Sequence, residues 1–85
     1  MIVGLDYDGT CTKAPAIWDR FIADCTEAGH TVVCITMRTP DEAVEMPCEV
    51  IYTARKAKIP HLNSLSRRVD IWIDDAPHWL FQDAL

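Results

Sequence analysis

Two carboxylates stand where the first apolar run of this chain ends: Ile2-Val3-Gly4-Leu5 is followed by Asp6-Tyr7-Asp8-Gly9-Thr10. The run reads as a buried strand. Residues two apart in a strand share a face, but Gly9 starts a turn, so Asp6 and Asp8 can converge on one point beyond the strand's carboxyl end. Two acids that close repel each other at neutral pH unless a cation lies between them. Gly9 frees the backbone to turn, and Thr10 adds a hydroxyl and an amide on the same side. A divalent metal bound beside a nucleophilic carboxylate is the simplest chemistry that needs this set.

The elements that must position these acids follow in order. Cys11 to Pro15 reads as a loop, with Pro15 suited to the first turn of a helix. Ile17, Trp18, Phe21, Ile22 and Cys25 recur at helical spacing, and Gly29 stops that helix. Thr31 to Thr36 is β-branched and almost wholly apolar, hence a second buried strand, parallel to the first because a helix crosses between them. Thr39-Pro40-Asp41-Glu42 has the pattern of a capping box opening a helix that Pro47 keeps short. Glu49 to Thr53 gives a third strand, Pro60 to Leu65 a helical stretch, and Val69 to Ile73 a fourth strand that ends in Asp74 and Asp75. Ala76-Pro77 turns the chain, and Trp79 to Ala84 forms a last helical turn or two.

This alternation predicts an α/β fold, small, three-layered and Rossmann-like, with a mainly parallel four-stranded sheet and helices on both faces. Ligands of such sheets bind outside the carboxyl ends of the strands. Every predicted strand ends there in a polar residue: Asp6 and Asp8, then Thr36, then Thr53 with a lysine-bearing loop behind it, then Asp74 and Asp75.

Length and composition narrow the classes. Eighty-five residues suffice for one domain, residues 1–85, with a single core and no room for a second domain or a long lid. A net charge of −5 argues against nucleic-acid binding by bulk electrostatics. Five of the eight basic residues, Arg55, Lys56, Lys58, Arg67 and Arg68, nevertheless fall in one late segment, a candidate anion site. Cys11, Cys25, Cys34 and Cys48 form no Cys-x-x-Cys pair and follow no signal peptide, which points to a reducing, cytoplasmic setting with the thiols as small hydrophobes. No run is long enough to span a membrane. His30, His61 and His78 share no metal-ligand spacing, so no zinc site is expected. Trp18, Trp72 and Trp79 sit in apolar patterns, and of these only Trp79 is a candidate platform for a base.

With these motifs in order, the chain resembles the haloacid dehalogenase-like (HAD) superfamily of phosphatases over nearly its whole length. Asp6-Tyr7-Asp8-Gly9-Thr10 matches the superfamily's first motif in full, Val33-Cys34-Ile35-Thr36 the second, and Ile71-Trp72-Ile73-Asp74-Asp75 the fourth. The resemblance implies a HAD-like fold and a Mg²⁺-dependent phosphomonoester hydrolase working through an aspartyl-phosphate. Asp6 is then the nucleophile and Asp8 the general acid and base. Mg²⁺ is held by Asp6, the Asp8 main-chain carbonyl and Asp74, with Asp75 as a further ligand or anchor. Gly9, Thr10, Thr36, Met37 and Arg38 border the phosphoryl group or grip the rest of the substrate. A lysine that neutralises the phosphate belongs to the third motif, whose spacing is not fixed. Lys58 is preferred because it precedes a proline-started helical stretch, with Lys56 close behind and Arg67 or Arg68 as substitutes.

Superfamily members that act on small metabolites commonly insert a cap domain, and neither interval here is long enough to encode one. A capless, open site implies a substrate that brings its own bulk, such as a nucleic-acid end or a phosphoprotein, or a homodimer that covers the site; a nucleotide substrate stays in view. Two other classes compete. A receiver-type phospho-acceptor also gathers acids, a Thr and a Lys on a parallel sheet, but places its acceptor on a central strand and needs more chain. A binding protein could keep the fold and metal site without the activity.

Overall fold

The computed structural model describes all 85 residues. Four strands, β1 (Ile2–Leu5), β2 (Thr31–Thr36), β3 (Glu49–Tyr52) and β4 (Ile71–Ile73), form one sheet in the order β3-β2-β1-β4. All three pairings are parallel. Helix α1 (Pro15–Glu27) connects β1 to β2, and α2 (Lys58–Ser64) lies between β3 and β4. Short 3₁₀ turns at Cys11–Lys13, Pro40–Glu42 and Pro77–Leu80 complete the chain.

Register explains why both faces are covered. Val3 pairs with Val32 and Leu5 with Cys34, so these four side chains point the same way. Val3, Leu5 and Val32 form one core with Ile22 of α1 and Cys11, against which Trp18 and Phe21 pack. The alternate residues, Val33, Ile35 and Ile51, form the second core with Leu62 of α2. The central strands are therefore apolar on both faces, as a parallel sheet between helices requires. No helix is long and apolar enough to cross a membrane.

The order of elements agrees with the expectation, and five of them differ in type or extent. Residues 11–13 form a 3₁₀ turn rather than plain loop. The Thr39 capping box is present, yet it opens only the 3₁₀ turn at Pro40–Glu42. Helix α2 starts at Lys58, not Pro60, because a proline in the first turn of a helix forfeits no intrahelical hydrogen bond. Strand β4 pairs only from Ile71: Asp70 instead bonds Ile2 through both its amide (2.8 Å) and its carboxylate (2.6 Å). The last element is a 3₁₀ turn at Pro77–Leu80, and the residues after it are tied elsewhere. The Asp83 carboxylate accepts from the Ala57 amide at 2.7 Å, and the Ala84 amide donates to the Arg55 carbonyl at 2.8 Å.

Gly4 is closely packed on the α2-side face of the sheet. A β carbon there would lie 3.0 Å from the Trp72 ring, 3.0 Å from Val69 and 3.1 Å from Ile35. Gly4→Val is expected to destabilise the domain by about 1–3 kcal/mol through overpacking, read from the midpoint of urea denaturation; an unchanged midpoint would show that the ring is free to move aside.

Candidate functional site

All four strands run the same way, so their carboxyl ends meet at one edge of the sheet, with β1 flanked by β2 and β4. A cavity of about 330 Å³ opens there, with a polar floor of Asp6, Asp8, Thr36, Lys58, Asp74 and Asp75. Three strand ends and the start of α2 supply that floor.

Lys58 holds the floor together. It is the first residue of α2, only 2% exposed, and its Nζ lies 2.7 Å from Asp6 Oδ1 and 2.7 Å from Asp74 Oδ2. The other oxygen of Asp6 accepts from the Thr10 hydroxyl at 3.0 Å, and that hydroxyl also lies 3.3 Å from Asp75 Oδ1. Gly9 has φ +90°, and a β carbon there would collide with the Asp75 carboxylate, so only glycine lets the turn and the second acidic pair come together.

Asp6, Asp74 and Asp75 each offer a carboxylate oxygen, and these oxygens lie within 4.8 Å of one another. Burial pushes the Asp6 carboxyl up to about 6, with Lys58 opposing the rise. Asp75 is held below the usual carboxylate range by hydrogen bonding from Asp6 and then from Thr10. One lysine among three acids leaves an excess of negative charge, which a hard cation with oxygen ligands would relieve.

Asp8 has a different partner from the one its spacing implies. Its carboxylate, half exposed, receives a two-pronged bond from Arg38, Nε to Oδ2 at 2.9 Å and an Nη to Oδ1 at 2.8 Å. That guanidinium, which also lies 5.2 Å from the centre of the Tyr7 ring, holds Asp8 below the usual carboxylate range. Each acid of the pair therefore has its own cation, where the sequence pointed to one cation between them. Arg38 sits beside the cavity, engaged with Asp8 rather than free to grip a ligand.

The remaining residues divide clearly. Thr36 is buried in the floor, where its hydroxyl oxygen accepts from the Arg38 amide at 3.3 Å and keeps its own hydrogen for another acceptor; Met37 lines the wall above it. Gly9 and Thr10 line an adjoining groove with Lys13 and Trp18, and the Gly9 amide is taken by the Thr12 hydroxyl. Lys56 is exposed and outside the cavity. Thr53 is buried, but its hydroxyl donates to the Lys56 carbonyl at 2.7 Å, a structural bond within the turn. Arg67 pairs with Glu49 and Arg68 with Asp70, away from the floor. Burial pushes the Cys11 thiol up to about 11 and Cys34 to about 12, so neither supplies thiolate near neutrality.

The apolar side of the cavity is formed by Met37, Ala76, Trp79 and Ala84, of which sequence reasoning named Met37 and Trp79 and missed the two alanines. Trp79 was legible as a platform, but nothing local to Ala84 shows that the chain end folds back to Arg55.

Compared with protein-family models, curated proteins and solved structures, the chain matches none.

Because the native state holds Asp6 near 6 while an unfolded aspartate titrates near 4, the native state binds the extra proton between those values. Its stability falls as pH rises through that window and does not recover above it. Asp6→Asn removes the buried charge and leaves Lys58 paired with Asp74. It is expected to raise stability at pH 7 in metal-free buffer by roughly 1–3 kcal/mol and to flatten the decline from pH 4 to 6. Denaturation at several pH values checks both; a less stable variant would mean that the Asp6–Lys58 attraction outweighs the burial cost.

Proposed function

We propose that this domain is a HAD-type phosphatase, a Mg²⁺-dependent phosphomonoester hydrolase that works through an aspartyl-phosphate. The observation that carries the reading is the buried Asp6 at the end of β1, ringed by Lys58 from the start of α2, Thr10 from the turn after β1 and a second acidic pair from the end of β4. That grouping follows from topology, since the strands bearing the first, second and fourth motifs are neighbours.

The residues fit the roles the resemblance implies. The Asp6 carboxylate attacks phosphorus, the ester P–O bond breaks, and Asp8 delivers a proton to the departing oxygen. Asp8 then takes a proton from water, whose oxygen attacks the same phosphorus, so phosphate leaves and Asp6 is regenerated. Lys58 and the free hydrogen of Thr36 lie on the floor where charge develops on the phosphoryl oxygens. Asp6, Asp74 and Asp75, with the Asp8 main-chain carbonyl, are the residues that would hold Mg²⁺, and their hard oxygen donors suit it. When bound, the metal supplies the positive charge that lets an anionic nucleophile meet an anionic phosphate.

Arg38 adds a requirement of its own. Clamped by the guanidinium, Asp8 is ionised and ready to act as a base, but to act as an acid it must part from Arg38 and take up a proton. Substrate entering the cavity is the event that would separate them.

Phosphate release from p-nitrophenyl phosphate and a panel of nucleotides tests the reading. Turnover is expected with Mg²⁺, to vanish with EDTA, and to fall on the order of 10³-fold or more in Asp6→Asn. A chain that binds Mg²⁺ yet turns over nothing, or that accumulates a stable acyl-phosphate, would instead be a binding or phospho-acceptor domain.

A further inference from the structure

The cavity has two characters, and the apolar one goes beyond what phosphate chemistry needs. Its volume, about 330 Å³, far exceeds that of a phosphoryl group. Met37 follows β2 and Trp79 follows β4, so the two stand on opposite sides of the β1 end that carries Asp6.

Both walls are pinned. The Met37 carbonyl accepts from the Arg55 amide at 2.8 Å and from the Arg55 guanidinium at 2.7 Å. Ala54 and Arg55 take positive φ values, 52° and 69°, to make this approach, a conformation costly for residues other than glycine. Trp79 is carried by the 3₁₀ turn that buries Leu80. The chain beyond that turn is tied back to Arg55 and Ala57 by the two bonds of Ala84 and Asp83. The half-buried indole packs on the His78 ring, with centroids 4.3 Å apart, and lines the cavity with the remainder of its surface, at little conformational cost. Methionine opposite it is a soft, polarisable surface that suits an aromatic ring.

Charge restricts what the walls can receive. Within the cavity the sole cation is Lys58, already shared by two carboxylates, and the cations beside it are engaged: Arg38 with Asp8, Arg55 with Glu42. Beyond its terminal phosphate a polyanionic nucleic-acid end would meet, among the cations around the cavity, only Lys13 of the adjoining groove without an ion pair, and it would meet it beside a surplus of carboxylates. A single phosphate carrying a flat, uncharged ring system fits both halves.

Resting on the phosphatase reading, we infer that the substrate is a nucleoside monophosphate whose base lies against Trp79, with Met37 bounding the other side. Adenosine 5′-monophosphate and ribose 5-phosphate share the phosphate and the primary alcohol leaving group, so the ratio of their kcat/KM values reads contacts to the base alone. Stacking on one aromatic side chain is worth roughly a tenfold preference or more for the nucleotide. In Trp79→Ala the nucleotide's kcat/KM is expected to fall about tenfold further than that of ribose 5-phosphate, while Trp79→Phe, which keeps a ring, retains most of the preference. Equal kcat/KM values for the two substrates in the native protein, or equal losses in Trp79→Ala, would overturn the inference and leave the phosphatase reading intact. Calorimetric titration of Asp6→Asn with the same two compounds separates the claims. Tighter binding of the nucleotide, lost in Asp6→Asn/Trp79→Ala, supports the base site even if no phosphate is ever released. Equal binding of the two compounds removes it.

Discussion

The buried ammonium of Lys58 is the interaction on which the site depends, because it places one positive charge between carboxylates that the pairing of β1 with β4 sets side by side. It stands at the start of α2, yet it touches the carboxylates that end β1 and β4. Without it Asp6 and Asp74 would face each other with no positive charge between them. With it the floor is still acidic, since Asp75 adds a third carboxylate, and burial raises the Asp6 carboxyl to about 6 against the pull of Lys58. Such an arrangement costs stability, and its three carboxylates could hold a cation.

The fold supplies that lysine its address. A parallel sheet gathers all its carboxyl ends at one edge, and the connection from β3 returns along the α2-side face, so the first residue of α2 arrives at the same edge as Asp6 and Asp74. Gly4 contributes from below. Having no side chain, it lets the Trp72 ring, Val69 and Ile35 close over β1, which keeps β4 beside β1 and its two acids beside Asp6. Packing two residues behind the site thus sets the geometry in it.

Much of this was legible because the signals were local. β-branched runs marked β1, β2 and β3, Pro15 and Gly29 bracketed α1, and polar residues at strand ends pointed to one edge. Signals that failed depended on distant partners. Asp70 leaves the strand pattern because its amide and carboxylate both turn to Ile2, and the final segment is not helical because Asp83 and Ala84 bond back to Ala57 and Arg55. Thr53 looked like a site residue by its place at a strand end, but its hydroxyl serves the turn that follows. Lys56 and Lys58 were hard to separate in sequence; a two-residue shift in where α2 begins leaves one exposed and the other buried.

Asp8 and Arg38 show the limit of reading roles from spacing. Two carboxylates two residues apart looked like a shared metal site, yet the turn at Gly9 sends one inward to Lys58 and the other outward to a guanidinium from the loop after β2. A two-pronged, charge-assisted pair on the cavity rim holds Asp8 ionised while both partners stay partly exposed to water. The same arginine reaches Thr36, its amide donating to the Thr36 hydroxyl oxygen, so the segment that clamps Asp8 also carries the buried threonine of the floor. The rim carboxylate and the floor hydroxyl are thereby tied to each other through one arginine.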